Sequence, residues 1–471
     1  MNDTIARRES FGGIVGRRNG YGFHVVNKRG FELIRLSQDV PREKFNLLCR
    51  TESGYPAFAD QLRANGFLSD EGFFQGEIID NQNHVPYMSA PIRVWLEVTS
   101  RCNLSCEQCF NMNHEDFYTD ISYENILSII DDLKASGVLQ LTITGGEPLV
   151  RKDIFKILDH IFDKGFGVRF FTNGTTLNEQ NVERLSSYNI SHIFASLDGI
   201  GEVNDILRGG KTFEKISRGI MRLARTTGNV TLSVTLHAFS LENIPQIFQF
   251  AKDNNVKSLL IRPLLQYSDK ESPLTIGKDQ LGRFLEALES ASVETGVEYQ
   301  LNKLPFRPLK KSIYLHDRRS DVHFSYFSQH NQFGCVGGNT VVGIKSNGVV
   351  MACGFVPIKY AIPGNSVLEK PFLKLWNESE NITVLRDLAP NDTCKSCSLL
   401  SVCGGGCRAN ALLRNGSLNA IDPYCFWKDE KTRRDVYEGV KVDTQLVNAE
   451  ATTPFISART IVTKCGSGTM L

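Results

Sequence analysis

The stretch RVWLEVTSRCNLSCEQC, residues 93–109, joins a strand pattern to a close group of cysteines. Its first part, RVWLEVT, is a run of apolar and β-branched residues and indicates a strand. Cys102, Cys106 and Cys109 follow directly, with the spacing CxxxCxxC. Because a four-iron cluster takes one thiolate on each iron, three close cysteines leave one iron without a protein ligand. A small molecule can chelate such an open iron.

The sequence around this stretch repeats a strand and helix unit from about residue 92 to residue 290. The strand-like runs are RVWLEVT (93–99), LTIT (141–144), GVRFFT (167–172), HIFASL (192–197), VTLSVTL (230–236) and KSLLIR (257–262). Apolar residues recur at helical spacing between them, at Ile126, Ile129, Ile130 and Leu133 and again at Ile154, Ile157, Leu158 and Ile161. Six β/α units predict an α/β fold with a parallel sheet, open or curled toward a barrel, and a ligand site at the carboxyl ends of its strands.

The regions on either side have a different pattern. FGGIV and YGFHVV read as paired strands, and KRGFELIRLS and YPAFADQLRANGFL as short helices, so residues 1–85 predict a small winged-helix-like module. A polar linker at 77–91 precedes the barrel domain, 91–300. Residues 301–428 are rich in glycine and cysteine and predict a domain held by cofactors, while 429–471 form a tail to which no structure is assigned.

The composition disfavours several classes of partner. Lysine plus arginine number 53 and aspartate plus glutamate 52, so the net charge favours neither nucleic acid nor an anionic membrane. No apolar run approaches the roughly 20 residues that span a bilayer, and the first residues lack the apolar segment of a signal peptide. We therefore expect a cytoplasmic protein with no nucleic-acid or membrane partner. In the reducing cytosol its 12 cysteines indicate metal binding rather than disulfides.

With CxxxCxxC directly after the first strand, the chain resembles the radical S-adenosylmethionine (SAM) superfamily. In that family the open iron binds the methionine end of SAM, and an electron from a reducing partner such as flavodoxin or ferredoxin splits the sulfonium to give a 5′-deoxyadenosyl radical. The resemblance implies a partial (β/α)6 barrel that binds SAM and a 4Fe-4S cluster on the three cysteines. A zinc site that lacks its fourth ligand is the alternative for these cysteines alone.

Motifs at the ends of later strands extend the resemblance. GGEP, residues 145–148, matches the family motif at the methionine end of SAM, where glycine lets the backbone approach a ligand closely. The serine of SLDG and the arginine of NDILRGG resemble the ribose and carboxylate contacts; a helix cap and a surface arginine are the simpler alternatives. The residue before the third cysteine, often aromatic in the family, is here glutamine. The resemblance thus assigns SAM contacts to Gln108, Gly145, Gly146, Glu147, Ser196 and Arg208.

A second array begins with Cys335 and Cys353 and continues with the spacing CxxCx5CxxxC from Cys394 to Cys407, followed by Cys425. It resembles the SPASM domain, which is shared by maturases of subtilosin-type, pyrroloquinoline quinone and mycofactocin precursors and of anaerobic sulfatases. The resemblance implies two auxiliary 4Fe-4S clusters, one with four cysteine ligands and one with three and an open fourth position. A zinc ribbon is the alternative for this spacing. The first auxiliary cluster would be held by Cys394, Cys397, Cys403 and Cys425, and the second by Cys335, Cys353 and Cys407.

The N-terminal module resembles the PqqD-like element that recognises leader peptides. The resemblance implies that a precursor's leader adds as an extra strand to the edge of the module's sheet. The core peptide then reaches the barrel, where the radical abstracts hydrogen. We therefore expect a radical SAM peptide maturase that makes an oxidative modification, a thioether or carbon–carbon cross-link, and no catalytic side chain is assigned.

Three other functions stay open at this point. Anaerobic sulfatase maturases share the barrel and the cysteines, but they carry an aspartate directly after the cysteine corresponding to Cys353, where this chain has Gly354. Haem-pathway relatives modify a tetrapyrrole, and the N-terminal module argues against that substrate. The third alternative is non-enzymatic, an iron–sulfur electron carrier or a zinc scaffold.

Overall fold

The computed structural model describes residues 3–20, 23–39, 43–45, 47, 55–69, 73–80, 85–107, 109, 120–264, 273–301, 306–309, 312–315, 335–356, 360–397, 400, 404–425 and 455–456 of the 471 in the chain. The chain divides into two compact units. The first contains residues 1–89, 318–330 and 443–471, and the second contains residues 90–317 and 331–442. The finer division into four domains, with boundaries near 85, 300 and 428, stays a prediction.

The first unit is a small sheet with two helices. Its elements are β1 (Thr4–Glu9), β2 (Gly12–Arg17), β3 (Phe23–Asn27), α1 (Lys28–Asp39), α2 (Tyr55–Ala64) and β4 (Glu77–Ile79). β2 pairs antiparallel with β1 and β3, and β4 lies parallel to β1. The predicted strand pair and both predicted helices are confirmed. β1 was not predicted, and β4 falls in the stretch that we interpreted as a linker.

The core of the first unit lies between this sheet and its helices. Phe31 and Ile34 on α1 are fully buried, as is Leu62 on α2. A charged pair is buried in the same unit, where Arg7 Nε lies 2.7 Å from Glu9 Oε1. Since burial of an unpaired charge is costly, the arginine and the carboxylate stabilise each other's placement inside the unit.

The second unit is built on a parallel sheet. Its strands are β5 (Arg93–Glu97), β6 (Gln140–Thr144), β7 (Gly167–Thr172), β8 (His192–Ser196), β9 (Val230–Leu236), β10 (Ser258–Pro263), β11 (Glu298–Leu301), β12 (Phe306–Leu309), β13 (Ser312–Leu315), β14 (Val341–Ile344) and β15 (Val350–Met351). Among the described residues, nine strands form one sheet in the order β11-β10-β9-β8-β7-β6-β5-β14-β15. Neighbours from β11 to β14 run parallel, whereas β15 is antiparallel to β14. All six predicted strands are confirmed.

Helices connect the parallel strands and flank the later elements. They are α3 (Tyr123–Ala135), α4 (Ile154–Asp163), α5 (Glu179–Ser186), α6 (Glu202–Arg208), α7 (Phe213–Thr226), α8 (Ile244–Asp253), α9 (Lys278–Thr295), α10 (Phe372–Glu378), α11 (Glu380–Arg386), α12 (Asp392–Lys395) and α13 (Arg408–Asn415). The apolar faces predicted for the first two of these are the buried faces of α3 and α4. Within the part of the chain that the structure describes, no helix has both the length and the apolar character needed to cross a bilayer.

One strand of the cysteine-rich region extends the central sheet. β14 lies parallel to β5, with Val342 opposite Val94 and Ile344 opposite Leu96. The chain therefore returns, about 240 residues later, to the strand that leads into the first cysteine motif. A last short strand, β16 (Phe455–Ile456), belongs to the first unit and pairs antiparallel with β3.

The buried face of α4 provides a test of the sheet-and-helix core. Ile157 is fully buried, so Ile157→Ala removes buried methyl groups and should lower the free energy of unfolding of the second unit by about 2–5 kcal/mol. The neighbouring Lys156 is exposed, and Lys156→Ala should change that free energy by less than about 0.5 kcal/mol. Urea denaturation of both variants measures the difference; equal stabilities would contradict the assigned face.

Candidate functional site

The first cysteine motif forms the loop that leaves the carboxyl end of β5. Cys102 is exposed, and Cys106 and Cys109 are half-buried. Two N–H groups point at the Cys102 sulfur: the Leu104 amide at 3.4 Å and the Asn173 side-chain amide at 3.6 Å. Such donors favour the thiolate form that binds metal.

The three thiols lie close enough to affect one another's ionisation. Burial raises the pKa of the Cys106 thiol to about 11, Arg208 opposes this rise, and Cys109, Asp198 and Cys102 add to it. A bound metal reverses such a rise because it replaces the thiol proton. Sulfur donors with N–H groups directed at one of them fit an iron–sulfur cluster. Over the described ranges, no three His, Cys, Asp or Glu side chains are arranged to hold a single metal ion, whereas in a four-iron cluster each thiolate binds a different iron.

Asp120 fastens the start of the cysteine loop. Its carboxylate accepts hydrogen bonds from the Thr99 hydroxyl at 2.6 Å, the Ser100 amide at 2.7 Å and the Arg101 guanidinium at 2.9 Å. Burial raises the pKa of the Asp120 carboxyl, but these donors outweigh it and hold the pKa below its ordinary value. An ionised Asp120 therefore fixes the backbone that enters the cysteine motif.

The two glycines of GGEP pack against the same piece of backbone. The Gly146 amide donates to the Thr99 carbonyl at 2.8 Å, and the Glu147 amide donates to the Arg101 carbonyl at 2.9 Å. A Cβ on Gly145 would lie 2.3 Å from the Thr99 oxygen, and one on Gly146 would lie 2.3 Å from the Arg101 oxygen. Only glycine allows this approach, so the glycines join the ends of β5 and β6. Their contact with SAM stays a prediction.

The Glu147 side chain connects β6 to β7. Its carboxylate accepts hydrogen bonds from the Leu149 amide at 3.1 Å, the Thr172 hydroxyl at 3.0 Å and the Asn173 amide at 2.5 Å. Burial raises the pKa of the Glu147 carboxyl to about 7, against the effect of these donors and of Arg208. The Glu147 side chain, predicted as a cofactor contact, thus makes its hydrogen bonds to other groups of the chain.

Arg208 and Ser196 lie at the same edge of the sheet. Arg208 Nε is 2.7 Å from Asp198 Oδ2, and both side chains are buried. Asp198 also accepts a hydrogen bond from the Thr235 amide at 2.6 Å. A guanidinium has five N–H donors, so pairing with Asp198 leaves others for a second anion. Ser196 ends β8, half-buried, opposite Ser233 of β9.

The sequence analysis missed three residues of this site. Asn173 directly follows β7, and Asp198 lies within the SLDG motif, so a polar residue just beyond a buried strand was the available signal for both. Asp120 carried no such signal, because it lies in no motif and meets its partners only in the folded chain.

The later cysteines are assigned to two groups, and some members of each group lie close together. Cys353 and Cys407 both pack against one apolar cluster that includes Met351 and Ala409. The Cys397 amide donates to the Cys394 carbonyl at 3.0 Å, in the turn that closes α12. Of the predicted site residues, Gln108 and Cys403 lie outside the described residues. The later cysteines that the structure describes are all half-buried: Cys335, Cys353, Cys394, Cys397, Cys407 and Cys425.

Asp422 links the two groups. Its carboxylate accepts a hydrogen bond from the Cys407 amide at 2.5 Å, and its carbonyl accepts one from the Cys425 amide at 2.8 Å. Gly406 lies against it, since a Cβ there would be 2.5 Å from the aspartate side chain. Asp422 therefore holds Cys407 and Cys425, which are assigned to different auxiliary clusters.

Comparisons with known proteins agree with this arrangement. Residues 96–251 match the family model of the Radical SAM superfamily. The chain is 27% identical to the AdoMet-dependent heme synthase of Methanosarcina barkeri (strain Fusaro / DSM 804), over 73% of this chain and 98% of that protein. It is 28% identical to the mycofactocin maturase MftC of Mycobacterium tuberculosis (strain CDC 1551 / Oshkosh), over 72% of this chain and 83% of that protein. It shares its fold with Streptococcus suis SuiB bound to precursor peptide SuiA, with a TM-score of 0.69 and 18% identity over 89% of this chain and 97% of SuiB.

The close approach of GGEP to the cysteine loop predicts the effect of one added methyl group. Gly146→Ala should displace the Arg101 carbonyl and the cysteines that follow it, and so reduce reconstituted iron by about four atoms per chain. Gly210→Ala is the matched control, because no atom of the described residues lies within 4 Å of a Cβ at that position. Iron analysis after anaerobic reconstitution makes the comparison. Full iron content in Gly146→Ala would show that the contact is dispensable.

Proposed function

We propose that this chain, whose residues 96–251 match the Radical SAM superfamily, is a radical SAM enzyme that modifies a ribosomally made precursor peptide by an oxidative thioether or carbon–carbon cross-link. The observation that carries the proposal is the loop of three cysteines at the carboxyl end of β5, held there by the backbone of Gly146 and Glu147. The carboxyl edge of a parallel sheet is where such folds bind their ligands.

The residues that would hold the cofactors follow from this geometry. Cys102, Cys106 and Cys109 would bind the first 4Fe-4S cluster. When bound, that cluster supplies the electron, delivered by a flavodoxin or ferredoxin, that cleaves SAM to the 5′-deoxyadenosyl radical. The remaining donors of Arg208 suit the SAM carboxylate, and Gln108, Gly145, Gly146, Glu147 and Ser196 stay the other proposed contacts.

Two auxiliary clusters complete the proposal. Cys394, Cys397, Cys403 and Cys425 would hold one cluster, and Cys335, Cys353 and Cys407 the other. The shared apolar contact of Cys353 and Cys407 supports placing them on one cluster. A net oxidation of the peptide needs an acceptor for one electron, and clusters in the same unit as the barrel suit that role.

A peptide substrate is supported by the first unit. The structural likeness to SuiB covers 89% of the chain, a larger share than the second unit alone provides, so it extends into the first unit. SuiB was solved with a precursor peptide, and MftC is named a maturase. We propose that the first unit is a winged-helix-like module that binds a leader peptide along an edge of its sheet.

Tetrapyrrole modification is the second candidate, because a heme synthase is among the relatives and is covered over 98% of its length. Deletion of residues 1–89 separates the two candidates. In a peptide maturase it should abolish modification of the precursor yet leave 5′-deoxyadenosine release within about threefold of the full chain. The products are measured by mass spectrometry with a precursor encoded beside the gene. Unchanged peptide modification, or iron-porphyrin turnover by the full chain, would contradict the peptide assignment.

The division of labour between the cysteine groups gives a second test. Alanine at Cys102, Cys106 and Cys109 together should abolish 5′-deoxyadenosine formation, because the iron that binds SAM is lost. Cys353→Ala should keep 5′-deoxyadenosine formation and lower the yield of modified peptide at least tenfold. A tenfold loss corresponds to about 1.4 kcal/mol in the barrier to the steps that follow SAM cleavage. Normal SAM cleavage by the triple variant would contradict the enzyme mechanism itself.

A further inference from the structure

A buried ion pair links the strand that enters the first cysteine loop to the cysteine-rich region. Lys345 Nζ lies 2.7 Å from Glu97 Oε1, and the side chains are only 2% and 4% exposed. The same ammonium donates a hydrogen bond to the Gly354 carbonyl at 3.1 Å. Glu97 ends β5, and Gly354 directly follows Cys353.

The local backbone brings these groups together. Lys345 follows β14 and begins a turn in which the Gly348 amide donates to its carbonyl at 2.8 Å. Gly343 on β14 approaches the turn after Cys353, since a Cβ on Gly343 would lie 3.0 Å from the Gly354 Cα. The missing side chain of Gly343 therefore lets β14 approach the backbone next to a predicted cluster ligand, where the Lys345 ammonium contacts it.

The pair is not accounted for by stability. Replacing a buried ion pair by apolar groups is often neutral or stabilising, because desolvation offsets the attraction. Here the second carboxylate oxygen, Glu97 Oε2, is buried without a hydrogen-bond partner among the described residues, which adds to the cost. A charge arrangement of this kind, beside a cysteine that we propose as a cluster ligand, indicates an electrostatic role.

We propose that Lys345 and Glu97 set the reduction potential of the auxiliary cluster on Cys335, Cys353 and Cys407, an inference that rests on the proposed function. Net charge near an iron–sulfur cluster is one of the factors that fix its potential. The ammonium of Lys345 favours the reduced cluster, which carries one more negative charge. The carboxylate of Glu97 opposes that effect.

The potential matters for the electron balance of the reaction. In the cross-link, one C–H bond of the peptide breaks and its hydrogen atom goes to the 5′-deoxyadenosyl carbon. A second bond to hydrogen then breaks as the new C–S or C–C bond forms, with the proton released to solvent. The remaining electron passes to the auxiliary cluster. Lys345 and Glu97 are thus positioning residues for electron acceptance and do not contact the reacting atoms.

The sign of the charge effect provides the test. In full-length protein carrying alanine at Cys102, Cys106 and Cys109, only auxiliary clusters contribute to a redox titration followed by electron paramagnetic resonance. Glu97→Gln leaves the ammonium uncompensated and should raise the midpoint potential. Lys345→Met should lower it. Each shift in midpoint potential should reach about 59 mV, which corresponds to a tenfold change in the equilibrium constant for one-electron reduction of the cluster.

Further variants separate charge from folding. Glu97→Gln with Lys345→Met keeps the net charge and should restore the wild-type potential, as should Lys345→Arg alone. Glu9→Gln is the matched control, because it neutralises a buried carboxylate in another 2.7 Å pair, in the first unit, and should leave the potential unchanged.

Three outcomes would overturn the inference. Shifts of the same sign in both single variants would show structural disturbance. Unchanged potentials would show that the charges do not act on the cluster. The single variants could lose their clusters while the double variant and Lys345→Arg keep the wild-type potential. That result would show that the pair acts only in folding. Absence of auxiliary iron from the wild-type chain would instead contradict the proposed function, and the inference with it.

Discussion

The close approach of two backbone segments, residues 99–101 and 145–147, is the contact on which the site depends. It places the cysteine loop over the end of β6, and it exists because neither Gly145 nor Gly146 carries a side chain. The amides of Gly146 and Glu147 are used in this contact, and Asp120 fastens the same segment from the other side. Three thiols in a loop acquire a defined arrangement only when the loop's backbone is held in this way.

Buried charged side chains form the part of the site next to that contact. Arg208 pairs with Asp198, and Glu147 accepts three hydrogen bonds from the ends of neighbouring segments. Each of these groups lies at the carboxyl edge of the sheet, where charges are kept only if they are paired or hydrogen-bonded. The edge is therefore polar and internally hydrogen-bonded, and the donors that we propose for a cofactor carboxylate are already oriented.

The position of β14 makes the cysteine-rich region part of the same unit as the barrel strands. Because β14 pairs with β5, the turn that carries Cys353 begins next to the strand that ends at Glu97. The proposed chemistry at the first cysteine loop and the proposed electron acceptance at the later cysteines would then share one scaffold. Asp422 ties Cys407 to Cys425, so the later cysteines are also fixed relative to one another.

Local pattern was sufficient for the six predicted strands of the central sheet, for its first two helices and for naming candidate ligands. Helical spacing of Ile154, Ile157, Leu158 and Ile161 reports the buried face of α4 because side-chain period and burial are coupled within one helix, and the strand runs are informative for the same reason. Cysteine spacing likewise predicts candidate ligand sets, because neighbouring ligands lie in one loop.

The partners of the charged residues were decided only by the tertiary structure. Lys345 and Glu97 are 248 residues apart, and Asp120 meets Thr99 across the whole cysteine loop, so no periodicity connects them. The short strands β1, β4 and β14 escaped prediction for a related reason. Each is defined by the strand beside it rather than by its own few residues.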